Sequence, residues 1–273
     1  MSSTKRNIYV YLGKVILITL LIVLCIRSFF IEPFTVSSSQ MENALFSEDR
    51  ILIDKTAYGI RLPITILTVP FTFDNLWGKK SYSTAIQLPY ARLFTGQIGR
   101  NEIVLFNDPS AIDKPLDKRS LILNRCIALP KDTVLIQNGL PFVSDKGSVR
   151  FGQLSVKEIV DSIDYATSII VPAKGMTIDL DSKNLIIYKR TIEQEQGDNV
   201  SIEDGRLFMD GAEQDAYTFE DDYYWMLSDN PQNMLDSRTI GFIPFKNVIG
   251  RARFVWYNPD TSAHPNRSFK VIK

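Results

Sequence analysis

The sequence predicts a mainly β body that follows one N-terminal membrane-spanning helix and carries a small inserted subdomain. Three observations lead to this fold class: one long apolar run near the N-terminus, several short runs of β-forming residues, and two hairpin turns. The roughly 240 residues behind the apolar run are enough for one globular body with a subdomain, or for two small domains.

The apolar run covers residues 8–30 and has Lys14 and Arg27 as its only charges. A bilayer core needs about 20 residues of helix, so the run is long enough to cross it. A cleavable signal peptide is disfavoured because no small-x-small site follows the run, and a lipoprotein is disfavoured because bulky Leu24 precedes Cys25. A buried core helix is disfavoured because nothing else in the chain is apolar enough to surround it. We therefore predict an uncleaved membrane anchor.

Basic residues are concentrated before the apolar run. Lys5, Arg6 and Lys14 lie at its N-terminal side with no acidic residue among them, whereas Arg27 is the only charge at its far end. The positive-inside bias therefore places the N-terminus in the cytoplasm. The predicted organisation is a cytoplasmic tail at 1–7, a transmembrane anchor at 8–30 and an exported domain at 31–273.

Past the anchor the pattern is typical of β-structure. Asn138-Gly139 separates two runs of β-forming residues, and so does Asp204-Gly205, which is a strong short-range signal for a hairpin. A helix is predicted over 183–195, with Asp181 or Ser182 as its cap. The predicted strands are 50–55, 102–106, 133–137, 140–143, 200–202, 207–209, 223–227 and 248–257.

Two longer segments differ from the main body. Both hairpins and the predicted helix fall within about 135–220, which we interpret as an inserted subdomain. Segment 62–98 is apolar, broken by prolines and not periodic. It is either a set of loops packed over the core or an exposed apolar rim that dips into the outer leaflet beside the anchor.

Composition excludes several classes of function. The chain has 31 basic and 31 acidic side chains, so it has no electrostatic footprint for nucleic acid. Cys126 is the only cysteine outside the anchor, which excludes an intrachain disulfide in the exported domain. His264 is the only histidine, so a site with several histidine ligands is impossible. We predict neither a metal nor a cofactor.

Four segments, in the same order along the chain, resemble those of bacterial signal peptidase I. That family consists of membrane-bound serine–lysine proteases that remove signal peptides from exported proteins. The resemblance runs from the anchor to Trp256, and the resembling segments are Glu32 to Leu45, Asp49 to Pro63, Asn101 to Asp132, and Ser228 to Pro244. It implies a signal-peptidase-like β-sheet body, an anchor in the bacterial cytoplasmic membrane, and an exported domain on the outer, periplasmic face.

The departures from the family pattern fall on the residues that carry the chemistry. Gln40 stands at the position of the nucleophilic serine, and Asn124, beside Arg125, stands at the position of the lysine base. Met234 replaces the serine that orients that lysine, and Lys131 replaces a glycine in the turn after it. An amide offers no usable nucleophile and cannot accept the proton. The resemblance therefore implies a degenerate member that is catalytically inactive.

One alternative keeps the protein an enzyme. Ser38 matches a family residue whose hydroxyl contributes to the oxyanion hole, and it would have to act as an unusual nucleophile with Lys131 or His264 as base. The bland interpretations are that Lys131 is a solvated turn residue and His264 a tail residue. A further interpretation of the substitutions is structural: Gln40 and Asn124 hydrogen-bond each other where a desolvated amine would otherwise be buried.

Other positions follow the family more closely. Apolar residues stand where the family would bind a substrate's small-x-small residues. Acidic, serine and arginine residues stand in the last resembling segment, which we call the structural box. The predicted groove residues are Phe34, Val36, Met41, Leu45, Ile122 and Leu123, and the residues of the structural box are Asp229, Asp236, Ser237 and Arg238.

Three functions are consistent with this sequence. The leading hypothesis is a noncatalytic protein that contacts membrane lipid and binds signal peptides, exported polypeptides, an active signal peptidase or a translocon component. The second is an active signal peptidase that uses Ser38, and the third is a purely structural protein with a filled groove. An open channel beside Gln40 favours binding, a filled one favours the structural role, and a cleavage assay separates the enzyme from both.

Overall fold

The computed structural model describes residues 3–42, 44–69, 72, 75–137, 140–145, 148–151, 154–155, 167–260 and 267–272. Its first element is helix α1, Ser3–Phe29. Residues Ile8–Phe29 form a 22-residue stretch with a mean hydropathy of 2.5 and no buried part. This confirms the predicted apolar helix, which is long enough to cross a bilayer.

The body behind α1 is mainly β, which confirms the predicted fold class. In chain order the strands are β1 Ile31–Thr35, β2 Arg50–Asp54, β3 Ile60–Arg61, β4 Asn75–Leu76, β5 Lys79–Lys80, β6 Arg92–Leu93, β7 Ile103–Asn107, β8 Leu121–Ala128, β9 Thr133–Gln137, β10 Leu140–Asp145, β11 Ser148–Phe151, β12 Leu154–Ser155, β13 Thr167–Ile170, β14 Thr177–Asp179, β15 Val200–Glu203, β16 Arg206–Met209, β17 Ala212–Gln214, β18 Ala216–Thr218, β19 Tyr223–Leu227, β20 Ile243–Pro244, β21 Val248–Tyr257 and β22 Lys270–Val271. The other helices are α2 Ser182–Gln196 and α3 Ser237–Ile240, with short 3-10 turns at Ser39–Met41, Leu116–Lys118, Gly197–Asn199 and Phe245–Asn247.

The main sheet is antiparallel, with the order β1-β2-β21-β7-β8-β19-β20 and β22 paired with β21. Its central strands β7 and β19 are buried along their whole length, as expected for continuous runs of apolar residues covered on both faces. Two core clusters pack against this sheet, one around Met41 and Leu105 and the other around Tyr58 and Phe106. The predicted strands at 50–55, 102–106, 223–227 and 248–257 all belong to this sheet.

The elements between β8 and β19 form separate small sheets. The largest has the order β12-β11-β10-β9-β13, and β14-β18 and β15-β16-β17 form two others. Asp204 and Gly205 both have positive φ, 49° and 75°, as a tight hairpin turn requires, and the Asn138-Gly139 turn lies outside the described residues. The third core cluster joins these sheets to Trp225 of β19. The predicted insertion at about 135–220 covers most of these small sheets and remains a prediction.

Helix α2 begins where its cap predicts. Asp181 accepts a hydrogen bond from the Asn184 N–H at 2.6 Å, which satisfies one of the free donors of the first turn. Leu185, Tyr188 and Ile192 are buried at spacings of three and four residues, so one face of the helix packs on the third core cluster.

Segment 62–98 is held by two-residue strand pairs, β3-β6 and β4-β5. Trp77 is 94% exposed and Phe94 is 85% exposed, and Ile66, Leu67 and Val69 are about half exposed. Pro70, Phe71 and Phe73 lie outside the described residues. The exposed apolar side chains favour the rim over loops packed on the core.

Candidate functional site

Gln40 lies in the 3-10 turn Ser39–Met41 that follows β1. Ser38 precedes this turn in an extended conformation, and its hydroxyl accepts a 3.4 Å hydrogen bond from the Gln40 N–H. Serine is among the residues that favour this position because its oxygen satisfies a free backbone donor. The half-buried Ser38 hydroxyl is therefore engaged in holding the turn that presents Gln40.

The side chains of Gln40 and Asn124 meet inside the body. Gln40 Nε2 donates to Asn124 Oδ1 at 2.7 Å and to the Leu235 carbonyl at 2.7 Å, and Asn124 Nδ2 donates to the same carbonyl at 3.1 Å. The carbonyl can only accept, so it orients both amide nitrogens toward itself. Gln40 is 6% exposed and Asn124 is fully buried, so the three groups form a neutral, sealed cluster. We call it the amide cluster.

The loop after β19 closes over the backbone of Gln40. The Ser228 hydroxyl and the Asn230 N–H both donate to the Gln40 carbonyl, the latter at 3.1 Å. The Asn230 side chain also donates to the Ser39 carbonyl at 3.1 Å. The turn is thus held on both its side-chain and main-chain groups, which makes Gln40 a rigid part of the body.

Arg125 and Asp229 form an ion pair near the amide cluster. The guanidinium binds the carboxylate through two nitrogens, at 2.7 and 2.6 Å, and donates to the Asn101 carbonyl at 2.7 Å. Arg125 is 1% exposed, and this paired geometry offsets the cost of burying its charge. The pair ties β8 to the loop after β19.

The remaining residues of the structural box organise α3. Asp236 is fully buried, accepts from the Ser228 N–H at 3.0 Å and from the Arg238 N–H at 3.0 Å, and is bound by the Arg238 guanidinium. The Ser237 hydroxyl accepts from the Met226 N–H at 2.9 Å. These contacts fix α3 against β19 and so fix the position of the Leu235 carbonyl.

The predicted groove residues are mostly core residues. Val36, Met41, Leu45 and Leu123 are buried in one cluster, against which half-buried Phe34 packs. Ile122 belongs to the other cluster, because successive side chains of β8 face opposite sides of the sheet. The structure therefore brings five of the six together and separates Ile122 from them.

Three further positions bear on catalysis: the two bases considered for Ser38, Lys131 and His264, and Met234. Lys131 is exposed in the turn after β8, with a φ of 72°, and its N–H donates to the Val171 carbonyl at 2.9 Å. Met234, at the position of the orienting serine, is 53% exposed. His264 lies outside the described residues.

Cys126 is the nearest thiol to the amide cluster along β8. It is fully buried, and burial, reinforced by the negative charge of Glu102, raises the pKa of its thiol well above the usual range. A thiol becomes a nucleophile only as the thiolate, so Cys126 is inert in the folded protein. The amide cluster and its surroundings can accept and donate hydrogen bonds but cannot form a covalent intermediate through this residue.

Two members of the site were not anticipated from the sequence. Ser228 enters the sequence analysis only as the first residue of the last resembling segment, although its hydroxyl is a signal for an added hydrogen bond. The Leu235 carbonyl carries no sequence signal at all, because any residue type supplies a backbone oxygen.

Comparison with known proteins gives a consistent result. The sequence model of the family described as signal peptidase, peptidase S26, matches residues 9–257. A signal peptidase I of Pseudomonas aeruginosa is 27% identical over 97% of this chain and 79% of its own length. Those of Rickettsia akari and Helicobacter pylori are each 25% identical, over 87% and 88% of this chain and 75% and 79% of their own lengths.

Proposed function

The chain belongs to the signal peptidase family, peptidase S26, and from this premise we propose that it binds signal peptides or exported polypeptides without cutting them. The observation that carries the proposal is the buried hydrogen bond of 2.7 Å between Gln40 and Asn124. A serine–lysine peptidase needs an ionisable hydroxyl and a neutral amine at these two positions, and both are occupied by amides that satisfy each other.

Binding is supported by two strand edges that border the amide cluster. Strand β1 pairs only with β2 among the described residues, so its other edge is free. Strand β8 pairs with β7 on one side, and on the other side β19 pairs with it only from Arg125 to Ala128. Among the described residues, Leu121–Asn124 therefore has no strand on this second side. Free main-chain donors and acceptors of this kind bind extended peptides by strand addition.

The proposed location is the bacterial cytoplasmic membrane, with the body on its outer face. Helix α1 leads directly into β1, so the edge of β1 lies close to the membrane from which a signal peptide emerges. Exposed Met234 and Leu235 add apolar contact surface next to the amide cluster. An active signal peptidase or a translocon component is a further partner that fits the same location.

The test combines cleavage with binding in the full-length, reconstituted protein. We expect no cleavage of a preprotein, with or without Ser38→Ala, and saturable binding of a synthetic signal peptide, measured by fluorescence anisotropy. Cleavage that Ser38→Ala abolishes would contradict the proposal and establish the enzyme alternative. Absence of both binding and cleavage would favour the structural role.

The converse experiment rebuilds the peptidase. Gln40→Ser together with Asn124→Lys restores the two family residues, and Met234→Ser adds the orienting hydroxyl. We expect the triple variant to cleave a preprotein slowly and the double variant to cleave it still more slowly. Because Lys131 also departs from the family turn, complete inertness of both variants would indicate that this turn or the binding edges have diverged as well.

A further inference from the structure

A cavity of about 620 Å³ lies between the end of α1 and the body, away from the amide cluster. Leu24, Arg27 and Ser28 of α1 line one side, at the spacing of one helix face. Its volume is in the range of small-molecule sites, which is about 300–1,000 Å³. We call it the junction cavity.

The lining of the junction cavity has a positive excess. Four cationic side chains, Arg27, Lys55, Arg61 and Lys118, face two acidic ones, Glu32 and Asp117. Glu32 lies 3.2 Å from Lys55 and 3.8 Å from Arg27. Asp117 accepts from the N–H and the hydroxyl of Thr65, at 3.0 and 2.8 Å. Both carboxylates therefore have hydrogen-bond or ion-pair partners of their own, and their charges act on Arg61 at longer range, where they partly offset the lowering of its pKa by burial.

Arg61 is held in the cavity wall without a carboxylate at ion-pair distance among the described residues. Its guanidinium donates to Asn107 Oδ1 at 2.7 Å and to the Lys246 carbonyl at 3.5 Å. Burial, with the nearby charge of Arg92, lowers the pKa of Arg61 to about 10, so the side chain is still cationic at neutral pH. A partly desolvated guanidinium fixed by a neutral amide is prepared to bind an anion, and its planar fork matches phosphate oxygens.

Part of the cavity lining is apolar. Ile66 and Val69 line the cavity and are 49% and 44% exposed, and Leu24 lines it from α1. The apolar stretch of α1 ends at Phe29, so Arg27 and Ser28 lie at the level of the lipid headgroups. A soluble anion would make no favourable contact with these apolar side chains. A phospholipid would bind the cationic lining through its phosphate and the apolar lining through its acyl chains.

We propose that the junction cavity binds one phospholipid of the leaflet that faces the body, with its phosphate on Arg61 and its acyl chains between Leu24 and the Ile66–Val69 segment. The positive excess selects an anionic headgroup over a zwitterionic one. The bound lipid fills the space between anchor and body and thereby fixes the height of β1 above the membrane.

The test is native mass spectrometry of the full-length protein, extracted from vesicles of equal parts phosphatidylglycerol and phosphatidylethanolamine. We expect one retained phospholipid, mainly phosphatidylglycerol. Arg61→Gln should lower its occupancy about tenfold, the loss typical of one charge-assisted phosphate contact. Arg253→Gln is the matched control, because Arg253 is 51% exposed, pairs with Asp54 and does not line the cavity.

A second variant tests the cavity independently, in case Arg61→Gln does not fold. Thr68→Trp fills the cavity without changing any charge and should also remove the lipid. Equal lipid occupancy in the wild type and both cavity variants would overturn the proposal. Retention of added inorganic phosphate or glycerol phosphate at Arg61, with no phospholipid bound, would overturn it as well, because the ligand would then be a soluble anion.

Discussion

At the scale of single residues, Lys131 occupies a backbone conformation that suits glycine. Its φ of 72° lies in the left-handed region, where a Cβ atom costs roughly 1–2 kcal/mol. The resembled family has a glycine at this position of the turn. Lys131→Gly should therefore raise the free energy of unfolding by about 1 kcal/mol, after the larger backbone entropy of glycine is subtracted.

The control for this prediction is Lys131→Ala. Alanine removes the charge and the long side chain but keeps Cβ, so it should leave the free energy of unfolding nearly unchanged. Urea unfolding of the detergent-solubilised protein, followed by tryptophan fluorescence, measures both variants. Equal stabilisation by glycine and alanine would mean that side-chain charge, not backbone conformation, is responsible.

Asn124→Lys, made alone, tests how strongly the amide cluster excludes charge. The new amine would be buried against Gln40 and the Leu235 carbonyl, so its folded-state pKa should fall far below the unfolded value of about 10.4. Between these two pKa values the unfolded state binds more protons than the folded state. The free energy of unfolding should therefore rise with pH over this window, and the destabilisation should be greatest at the acidic end, at several kcal/mol.

The measurement for Asn124→Lys is urea unfolding at a series of pH values between 6 and 10. Asn124→Leu removes the same hydrogen bonds without adding an amine, and its difference from the wild type should not vary with pH. A Lys variant whose loss of stability is equally flat would show that the amine escapes to solvent.

Of the three groups in the amide cluster, two could be predicted from the sequence and one could not. That Gln40 and Asn124 hydrogen-bond each other was expected, because both occupy positions that meet in the resembled family. The third partner could not be foreseen, since the Leu235 carbonyl depends on how α3 is fixed by Asp236 and Ser237. Long-range packing, not local pattern, decides where such a backbone oxygen points.

At the scale of elements, the free edge of β1 predicts a pattern in peptide binding. A strand added to a sheet edge directs every second N–H toward the sheet and the others away. N-methylation of a bound signal peptide should therefore weaken binding at alternate positions only, by about tenfold each, from the lost hydrogen bond and the methyl clash.

The methylated positions serve as controls for one another, because neighbouring peptides differ by the site of a single methyl group. Fluorescence competition against an unmodified peptide gives the affinities. A uniform effect along the peptide, or no effect, would contradict strand addition and favour recognition through side chains.

The elements show which signals in a sequence are reliable. Helix α2, expected over 183–195, extends over Ser182–Gln196, because a cap and a periodic apolar face act locally. The pairs β3-β6 and β4-β5 were missed, because two-residue strands leave no period to detect and are fixed by contacts distant in the chain. The same limit applies to Ile122, whose separation from the other predicted groove residues follows from the register of β8 within the sheet.

At the scale of the whole molecule, the family match covers both the apolar helix and the β-sheet body, and the proposed lack of catalysis rests on Gln40 and Asn124. The Arg125–Asp229 pair and the contacts of Asp236 stabilise the site. Replacing a lysine by a neutral amide removes the cost of burying an amine. Under the proposed function, such a body keeps its shape without a nucleophile, and for this reason fold membership alone does not decide between binding and catalysis.

The orientation of the molecule in the membrane gives the last prediction. Lys5 and Arg6 precede the apolar run, and the positive-inside bias predicts that they hold the N-terminus in the cytoplasm. A C-terminal fusion to alkaline phosphatase, which is active only outside the cytoplasm, should therefore be active.

Lys5→Glu with Arg6→Glu should reduce that activity, because the remaining charges Lys14 and Arg27 lie on opposite ends of the span. Lys183→Glu with Lys189→Glu makes the same change of charge on the exposed side of α2, in the body, and should leave the activity unchanged. Inactivity of the unmodified fusion would place the body in the cytoplasm, where β1 would not face emerging signal peptides.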